Sequence, residues 1–337
     1  MKKTGLTIAV VGATGAVGKE MLAALESRRF PFAELRLFAS ERSVGKSLAC
    51  AGKSWTCAKL AKGAFQGVDF AFFDASDEVS REWVKEARDA GAIVIDNSGT
   101  FRMHPEVTLA VPEVNGARLK DLGPGALVAG PNCTTAQLVV ALKPLHDRYG
   151  LKRVIVSTYQ SVSGAGAAAI EELRSQTGDV LAGREARAAK LKYPIAFNLI
   201  PQIGGFLSGA DEGTTSEEKK VIEETRKILE LPNLAVACTA IRVPTVACHA
   251  ESVNAEFERA PDPAEARRLL EKFPGVEVID LPEYPMNLHG AGRDPVYVGR
   301  IRKDPSHPNG LQFWVVADNL RKGAALNAIQ IAEALLA

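Results

Sequence analysis

The sequence predicts an α/β protein: a doubly wound parallel sheet followed by a second domain of α+β type. Three observations predict it. An apolar run near the start ends in a glycine-rich turn that opens into a helix. Apolar and amphipathic runs then alternate as far as about residue 149, the pattern of parallel strands joined by helical crossovers. Beyond that point the texture changes to strands of period two, long loops and fewer helices. At 337 residues, 46% apolar and 24% charged, the chain suits two soluble cores rather than one.

The first run, Leu6–Val11, reads as a buried strand, and Gly12-Ala13-Thr14-Gly15-Ala16-Val17-Gly18 follows it directly. A helix over Lys19–Arg28 comes next. This is a GxxGxxG form of the dinucleotide loop in the strand–turn–helix setting that the Rossmann-type sheet requires. Gly12 permits the tight turn, Gly15 lets the backbone approach a pyrophosphate, and Gly18 lets helix and strand pack closely. The second strand, Glu34–Ala39, ends in Ser40-Glu41-Arg42-Ser43-Val44-Gly45-Lys46. An acid at this point reads the ribose of NAD, whereas an arginine accommodates the 2′-phosphate of NADP. Arg42 with the hydroxyls of Ser40 and Ser43 and nearby Lys46 favours NADP, Glu41 keeps NAD open, and a solvated loop is the alternative reading.

Residues 47–68 carry little pattern beyond a small hairpin around Trp55. Asp69–Ala75 and Ala92–Asp96 are further strands, with a helix over Glu78–Ala90 capped by Ser76 or Asp77. Leu109–Asn115 reads as a short extended piece. The run Gly125–Ala129 leads into Gly130-Pro131-Asn132-Cys133-Thr134-Thr135, and a helix leads out over 135–149. A lone thiol thus stands at a strand-to-helix turn, where unpaired backbone N–H groups and the helix dipole favour a thiolate. In the alternative reading Cys133 is one more small buried side chain.

Arg153–Tyr159 is a strand running into a small-residue loop at 160–166 and an alanine-rich helix. Residues 178–215 read mostly as loop. Ser216 caps a helix over Glu217–Glu230. Ala235–Val243 is a strand ended by Pro244. Glu251–Phe257, Val296–Ile301 and Leu311–Val316 complete an antiparallel sheet. Asn319–Leu336 is a long helix that returns to the first domain. The domains expected are therefore 1–132 with 319–337 for the nucleotide, and 133–318 for catalysis and dimerisation. Between Ile241 and Glu251 an arginine, a histidine and an acid follow one another around Pro244: Arg242, His249 and Glu251. A general acid/base is one reading of His249, and a structural histidine at a strand entry is the other. His146 is expected at the surface.

The net charge of +1 offers nothing to nucleic acid or an anionic membrane. No apolar run approaches the roughly 20 residues of a membrane span. The charged start, Met1–Gly5, is followed by a strand rather than a signal-type core. Five scattered cysteines without metal spacing suit a reducing, cytoplasmic setting and no metal site. A nucleotide loop and an activated thiol in one chain point to one chemistry. The thiolate attacks a carbonyl, and hydride is exchanged with the resulting thioester or hemithioacetal carbon.

These motifs resemble aspartate-semialdehyde dehydrogenase essentially from end to end. The resemblance rests on Gly12–Gly18, Phe101-Arg102-Met103, Val111–Asn115, Pro131–Thr135, Ser157–Gly166, Ile241–Pro244 and Trp314–Ala325. It implies a glyceraldehyde-phosphate-dehydrogenase-like architecture and a homodimer formed through the second domain. It also implies reduction of L-4-aspartyl phosphate to L-aspartate 4-semialdehyde with NADPH, in lysine, diaminopimelate, threonine, methionine and isoleucine biosynthesis. Carried over residue by residue, Cys133 is the nucleophile, His249 the general acid/base, and Gln160 orients the thioester. Arg242 pairs with the substrate α-carboxylate, and Glu217 with its amino group. Arg102 and Lys220 hold the phosphate with Asn132 beside them. Without the resemblance, Glu217 and Lys220, three apart on a helix, read as an exposed ion pair. Thr14, Gly15, Ala16 and Val17 line the pyrophosphate, and Arg42 and Ser43 the 2′-phosphate. Ser163, Gly164 and Asn319 border the nicotinamide. The chain departs from the family pattern at Gly99, Thr100, Gly204 and Cys248, the last a second candidate thiol. The rivals are another acyl-phosphate reductase, of N-acetylglutamyl-phosphate or glyceraldehyde-phosphate type, and a silent NADP-binding paralogue.

Overall fold

The computed structural model describes residues 5–337, so the charged Met1–Thr4 segment weighed above lies outside the described residues. The chain forms two compact units, Met1–Asn132 with Ala324–Ala337, and Cys133–Gly323.

The first unit runs β1 (Leu6–Val11), α1 (Ala16–Ser27), β2 (Phe32–Phe38), β3 (Ser47–Cys50), β4 (Lys53–Ala58), β5 (Phe70–Phe73), α2 (Asp77–Asp89), β6 (Ile93–Asp96), β7 (Thr108–Leu109), α3 (Pro112–Asn115) and β8 (Leu127–Ala129). Its eight strands lie in the order β3-β4-β2-β1-β5-β6-β8-β7. Every pairing is parallel except the β3–β4 hairpin. From β1 the chain winds first through β2 and then, on the other side, through β5. The carboxyl ends of β1 and β5 therefore form the switch point where open α/β sheets bind ligands. The central strands β1, β5, β6 and β8 are apolar and buried on both faces, because helices cover both. Ile8, Val10, Phe70 and Phe72 are buried with Met21 and Leu25 of α1.

Local chemistry shifts several boundaries. The first helix starts at Ala16, inside the glycine loop, and Gly15 is its N-cap. Ser76 occupies the N-cap of α2 without a side-chain capping bond, while the Asp77 carboxylate accepts the Gly99 N–H at 2.9 Å. The extended piece expected at Leu109–Asn115 is a two-residue strand followed by a helical turn. Pro112 fits the start of that turn. Asn115 closes it, accepting from the Val111 N–H and donating to the Leu109 carbonyl, both at 2.9 Å.

The second unit holds α4 (Cys133–Tyr149), β9 (Leu151–Gln160), α5 (Ala167–Leu181), α6 (Ser216–Ile228), β10 (Ala235–Arg242), β11 (His249–Phe257), α7 (Pro263–Lys272), β12 (Val276–Val278), α8 (Asn287–Gly290), β13 (Val296–Lys303) and β14 (Gly310–Ala317). Its sheet has the order β10-β9-β11-β14-β13-β12. It is mixed, not antiparallel throughout: β10 runs parallel to β9, and β12 to β13. Neither α7, which starts at the Asp262 cap and Pro263, nor β12 was legible beforehand. The cap of α6 is Thr215, one residue before the serine expected, in a reciprocal capping box with Glu218. His146 is half-buried rather than at the surface, and its Nδ1 accepts the Leu151 N–H at 3.2 Å.

The expected helix from Asn319 divides. Arg321–Ala325 is a π-helical turn, and α9 proper is Leu326–Leu336. From Ala324 the chain belongs to the first unit, where Glu333 takes a two-pronged bond from Arg28 at 2.8 and 2.6 Å.

Candidate active site

In the first unit, the carboxyl ends of β1, β2 and β5 surround a cavity of about 530 Å³. Gly12, Thr14, Gly15, Ser40, Glu41, Asp74 and Ser76 line it. Gly12 has φ +90°, and a Cβ there would sit 1.9 Å from the Asp74 carbonyl oxygen. A Cβ at Gly18 would sit 2.4 Å from the Gly12 carbonyl. This is a cradle that side chains would fill, open at the N-terminus of α1, and it fits a dinucleotide pyrophosphate. Ala16 and Val17 are the first residues of that helix. Arg42 and Ser43 stand in a 3₁₀ turn just after β2, and Glu41 at the cavity rim is ion-paired with Lys59.

Asp74 is pushed up to about 7, mainly by burial and further by Asp96, with Asn97 opposing. A carboxyl raised in the folded state contributes stability below its unfolded value of about 3.8 and loses it as pH rises towards 7. Asp74→Asn is therefore expected to match the parent in Tm at pH 4 and exceed it at pH 8. Partial solvent contact reduces the effect to about 1–2 kcal/mol. Thermal melts at the two pH values check it, and a pH-independent difference would refute it.

In the second unit, three neighbouring strands end together. Gln160 closes β9 and Arg242 closes β10, directly opposite each other. His249 opens β11, also opposite Gln160. All three side chains are buried. Gln160 accepts from Thr158 Oγ1 and donates to Glu217 Oε1, both at 3.1 Å. Glu217 Oε2 lies 3.5 Å from Lys220 Nζ. Thus Glu217 is a buried partner of Gln160, and only Lys220 has the exposure of the bland ion-pair reading.

Ser161 ties the set together, a role that its place in the small-residue loop did not reveal. Its N–H donates to His249 Nδ1 at 3.1 Å, and its carbonyl accepts from Arg242 Nη1 at 2.7 Å. Its hydroxyl lies 3.2 Å from the same Nδ1 and donates to Asn319 Oδ1 at 3.1 Å. Ser163 and Asn319, singled out separately in the sequence, are hydrogen-bonded to each other at 3.0 Å. Because Nδ1 accepts from the backbone, the neutral ring carries its proton on Nε2. Nε2 is buried without a hydrogen-bond partner. Burial and then the Arg242 charge push His249 down to about 3, so the ring is neutral at physiological pH. Gly164 leaves room beside it: a Cβ there would meet Arg242 Nη1 at 3.2 Å and His249 Nε2 at 3.3 Å.

Cys133 is the first residue of α4 and half-buried, and a thiolate there would oppose the burial that lowers the Arg242 guanidinium. Burial raises the other four thiols: Cys50 to about 11, Cys248 to about 12, and Cys57 and Cys238 in the same direction. Cys248 is thus a poor rival nucleophile.

Residues 7–122 match a family described as "Semialdehyde dehydrogenase, NAD binding domain", and residues 142–322 one described as "Semialdehyde dehydrogenase, dimerisation domain". The aspartate-semialdehyde dehydrogenase of Aquifex aeolicus is 50% identical over 98% of both chains. The chain belongs to the aspartate-semialdehyde dehydrogenase family. A Vibrio cholerae aspartate semialdehyde dehydrogenase II, solved in complex with ASA, superposes with a TM-score of 0.95 at 43% identity, covering 99% of this chain and 98% of that one. A Candida albicans aspartate semialdehyde dehydrogenase solved with NADP gives 0.77 at 25% identity over 98% of each chain.

Two further placements matter in this aspartate-semialdehyde dehydrogenase family member. In the first unit, buried Arg102 donates to the Asn97 carbonyl at 2.7 Å, and Asn132 is buried immediately before Cys133. In the second unit, Gly323 lies against the thiol-bearing residue. A Cβ there would be 2.7 Å from Cys133 Cβ and 3.0 Å from its Cα. Gly323→Ala is therefore expected to displace Cys133 and slow its alkylation by iodoacetamide at pH 7 about tenfold. An unchanged labelling rate would refute this.

Proposed function

We propose that this chain catalyses the aspartate-semialdehyde dehydrogenase reaction: reductive dephosphorylation of L-4-aspartyl phosphate to L-aspartate 4-semialdehyde, through an acyl-thioester on Cys133. The observation that carries the assignment is the register of Gln160, Arg242 and His249 at adjoining strand ends, with Glu217 bonded to Gln160. Arg242 presents a guanidinium fork to the α-carboxylate, and Glu217 a carboxylate to the amino group. The Cys133 sulfur attacks the acyl carbon, and the C–O bond to phosphate breaks. Arg102 and Lys220 are assigned to the phosphate. Gln160 orients the thioester. His249 Nε2–H faces the carbonyl oxygen and stabilises the negative charge that grows there. The Ser161 hydroxyl beside Nδ1 both donates and accepts, so it can follow the ring when a proton moves. Collapse of the hemithioacetal returns the electron pair to sulfur and frees the aldehyde.

The nicotinamide, when bound, supplies the hydride. Gly12, Thr14 and Gly15 with the start of α1 would hold its pyrophosphate, and Arg42 and Ser43 the 2′-phosphate. We favour NADP over NAD because Glu41 is engaged by Lys59 and because the Candida albicans relative was solved with NADP. Among the described residues no helix is long and apolar enough to cross a membrane. A cytoplasmic homodimer accords with five cysteines that form no disulfide and with the dimerisation-domain match.

Steady-state assays with aspartate semialdehyde, phosphate and either cofactor test this. Phosphate-dependent reduction of NADP, with NAD at least about tenfold poorer in kcat/KM, is expected. Faster turnover of N-acetylglutamate semialdehyde or glyceraldehyde 3-phosphate would reassign the enzyme, and equal use of NAD would overturn the cofactor preference.

A further inference from the structure

The acid that follows His249 in sequence has no part in the chemistry above, yet Glu251 is completely buried. Side chains alternate along a strand, so it lies on the same face of β11 as His249, one step further in. Across the sheet it is opposite Thr158 and Val315. Thr158 is the residue that donates to Gln160. From the helix layer it is faced by Gln137, 1% exposed. Gln137 stands four residues beyond Cys133, on the same face of α4. One step further along β11 from the histidine and one turn further along α4 from the thiol there is thus a second buried polar layer of Gln137, Glu251 and Thr158. The remaining ionisable groups near it are Cys238 of β10 and, beyond, Glu217 and Glu218 of α6.

Neither the carboxyl of Glu251 nor the amide of Gln137 makes a hydrogen bond of good geometry within the protein. Such groups cost stability in a core, and burial holds Glu251 well above the usual carboxylate range. By the same sign argument as for Asp74, this cost grows as pH rises above about 4.5. A methionine would fill the space without it. Groups that break packing rules without local compensation are characteristic of functional sites.

We propose that Glu251 is a positioning residue for the catalytic pair, acting through Gln137 on the first turns of α4 that carry Cys133 and through its own strand on the ring of His249. The inference rests on the function proposed above, so its test includes a readout that needs no turnover.

Glu251→Met and Glu251→Gln are compared with the parent in three measurements. Tm at pH 8 is expected to equal or exceed the parent's in both variants. With aspartate semialdehyde, phosphate and NADP, kcat is expected to fall about 10–100-fold in Glu251→Met with KM within about threefold. Glu251→Gln, which keeps a polar group of the same size against Gln137, should recover most of kcat. Iodoacetamide alkylation of Cys133 at pH 7 should slow about fivefold in Glu251→Met, whichever substrate the enzyme proves to use. Unchanged alkylation and kcat in Glu251→Met would overturn the proposal. So would a fall of Tm, kcat and alkylation together, which would make the residue merely structural. Absent turnover in the parent, with slowed alkylation in the variant, would sink the assigned reaction and leave the positioning role standing.

Discussion

Cys133→Ala is expected to abolish phosphate-dependent NADP reduction, with a loss of about 10⁴-fold or more in kcat and little change in Tm. No other group can replace the nucleophile. The histidine is neutral but sits at a strand end with Nδ1 bonded to Ser161. The remaining four cysteines are all raised by burial, Cys248 to about 12. The thiol at the start of α4 alone combines solvent access with the positive end of a helix. Iodoacetamide at neutral pH should accordingly modify the native parent at Cys133 and leave Cys133→Ala unlabelled. Residual turnover above about 1% of the parent would exclude the acyl-thioester route.

Gly12→Ala carries the second large effect, in the first unit. The residue holds φ +90°, which L side chains rarely adopt, and its new methyl group would overlap the Asp74 carbonyl oxygen at 1.9 Å. Relief requires the ends of β1 and β5 to part, which are paired up to Val11 and Phe73. A cost of about 3 kcal/mol, roughly 6–12 °C in Tm, is expected, with NADP binding weakened about 100-fold. Gly15→Ala separates the two consequences. Its φ of −69° suits alanine, and the added carbon would lie 3.2 Å from the Gly12 carbonyl. That variant should keep its Tm within a few degrees while losing nucleotide affinity, because the methyl group occupies the backbone's approach to the pyrophosphate. Calorimetry and NADP titration distinguish the outcomes, and a Gly12→Ala protein with parental Tm and affinity would refute the cradle.

Elements with strong local signals were readable in advance. The β1–turn–α1 unit was, because three glycines at fixed spacing leave few other conformations. The Trp55 hairpin and the strand-to-helix turn at Cys133 were readable for similar reasons. The failures are equally physical. Pro112 reads as part of a short extended piece, but proline is well suited to a helix start, and Asn115 locks the helical turn through two side-chain bonds. The parallel pairing of β10 with β9 has no local signature, since a parallel partner is chosen by the packing of α6 rather than by a turn. The π turn at Arg321–Ala325 interrupts a run whose composition is simply helical.

By itself the sequence determined the fold class, the dinucleotide loop and the candidate nucleophile, because glycine spacing, strand period and a thiol at a strand-to-helix turn are local properties of the chain. Tertiary structure decided how Gln160, Arg242 and His249 meet, since they come from three strands whose register is set by pairing across the sheet. It decided the neutral state of His249, which burial and the Arg242 charge impose against the opposing Cys248 backbone. It also decided that Ser161 and Glu251 matter. One gains its meaning from three hydrogen-bonding neighbours distant in the chain, and the other from a buried carboxyl set against Gln137 without a hydrogen bond of good geometry.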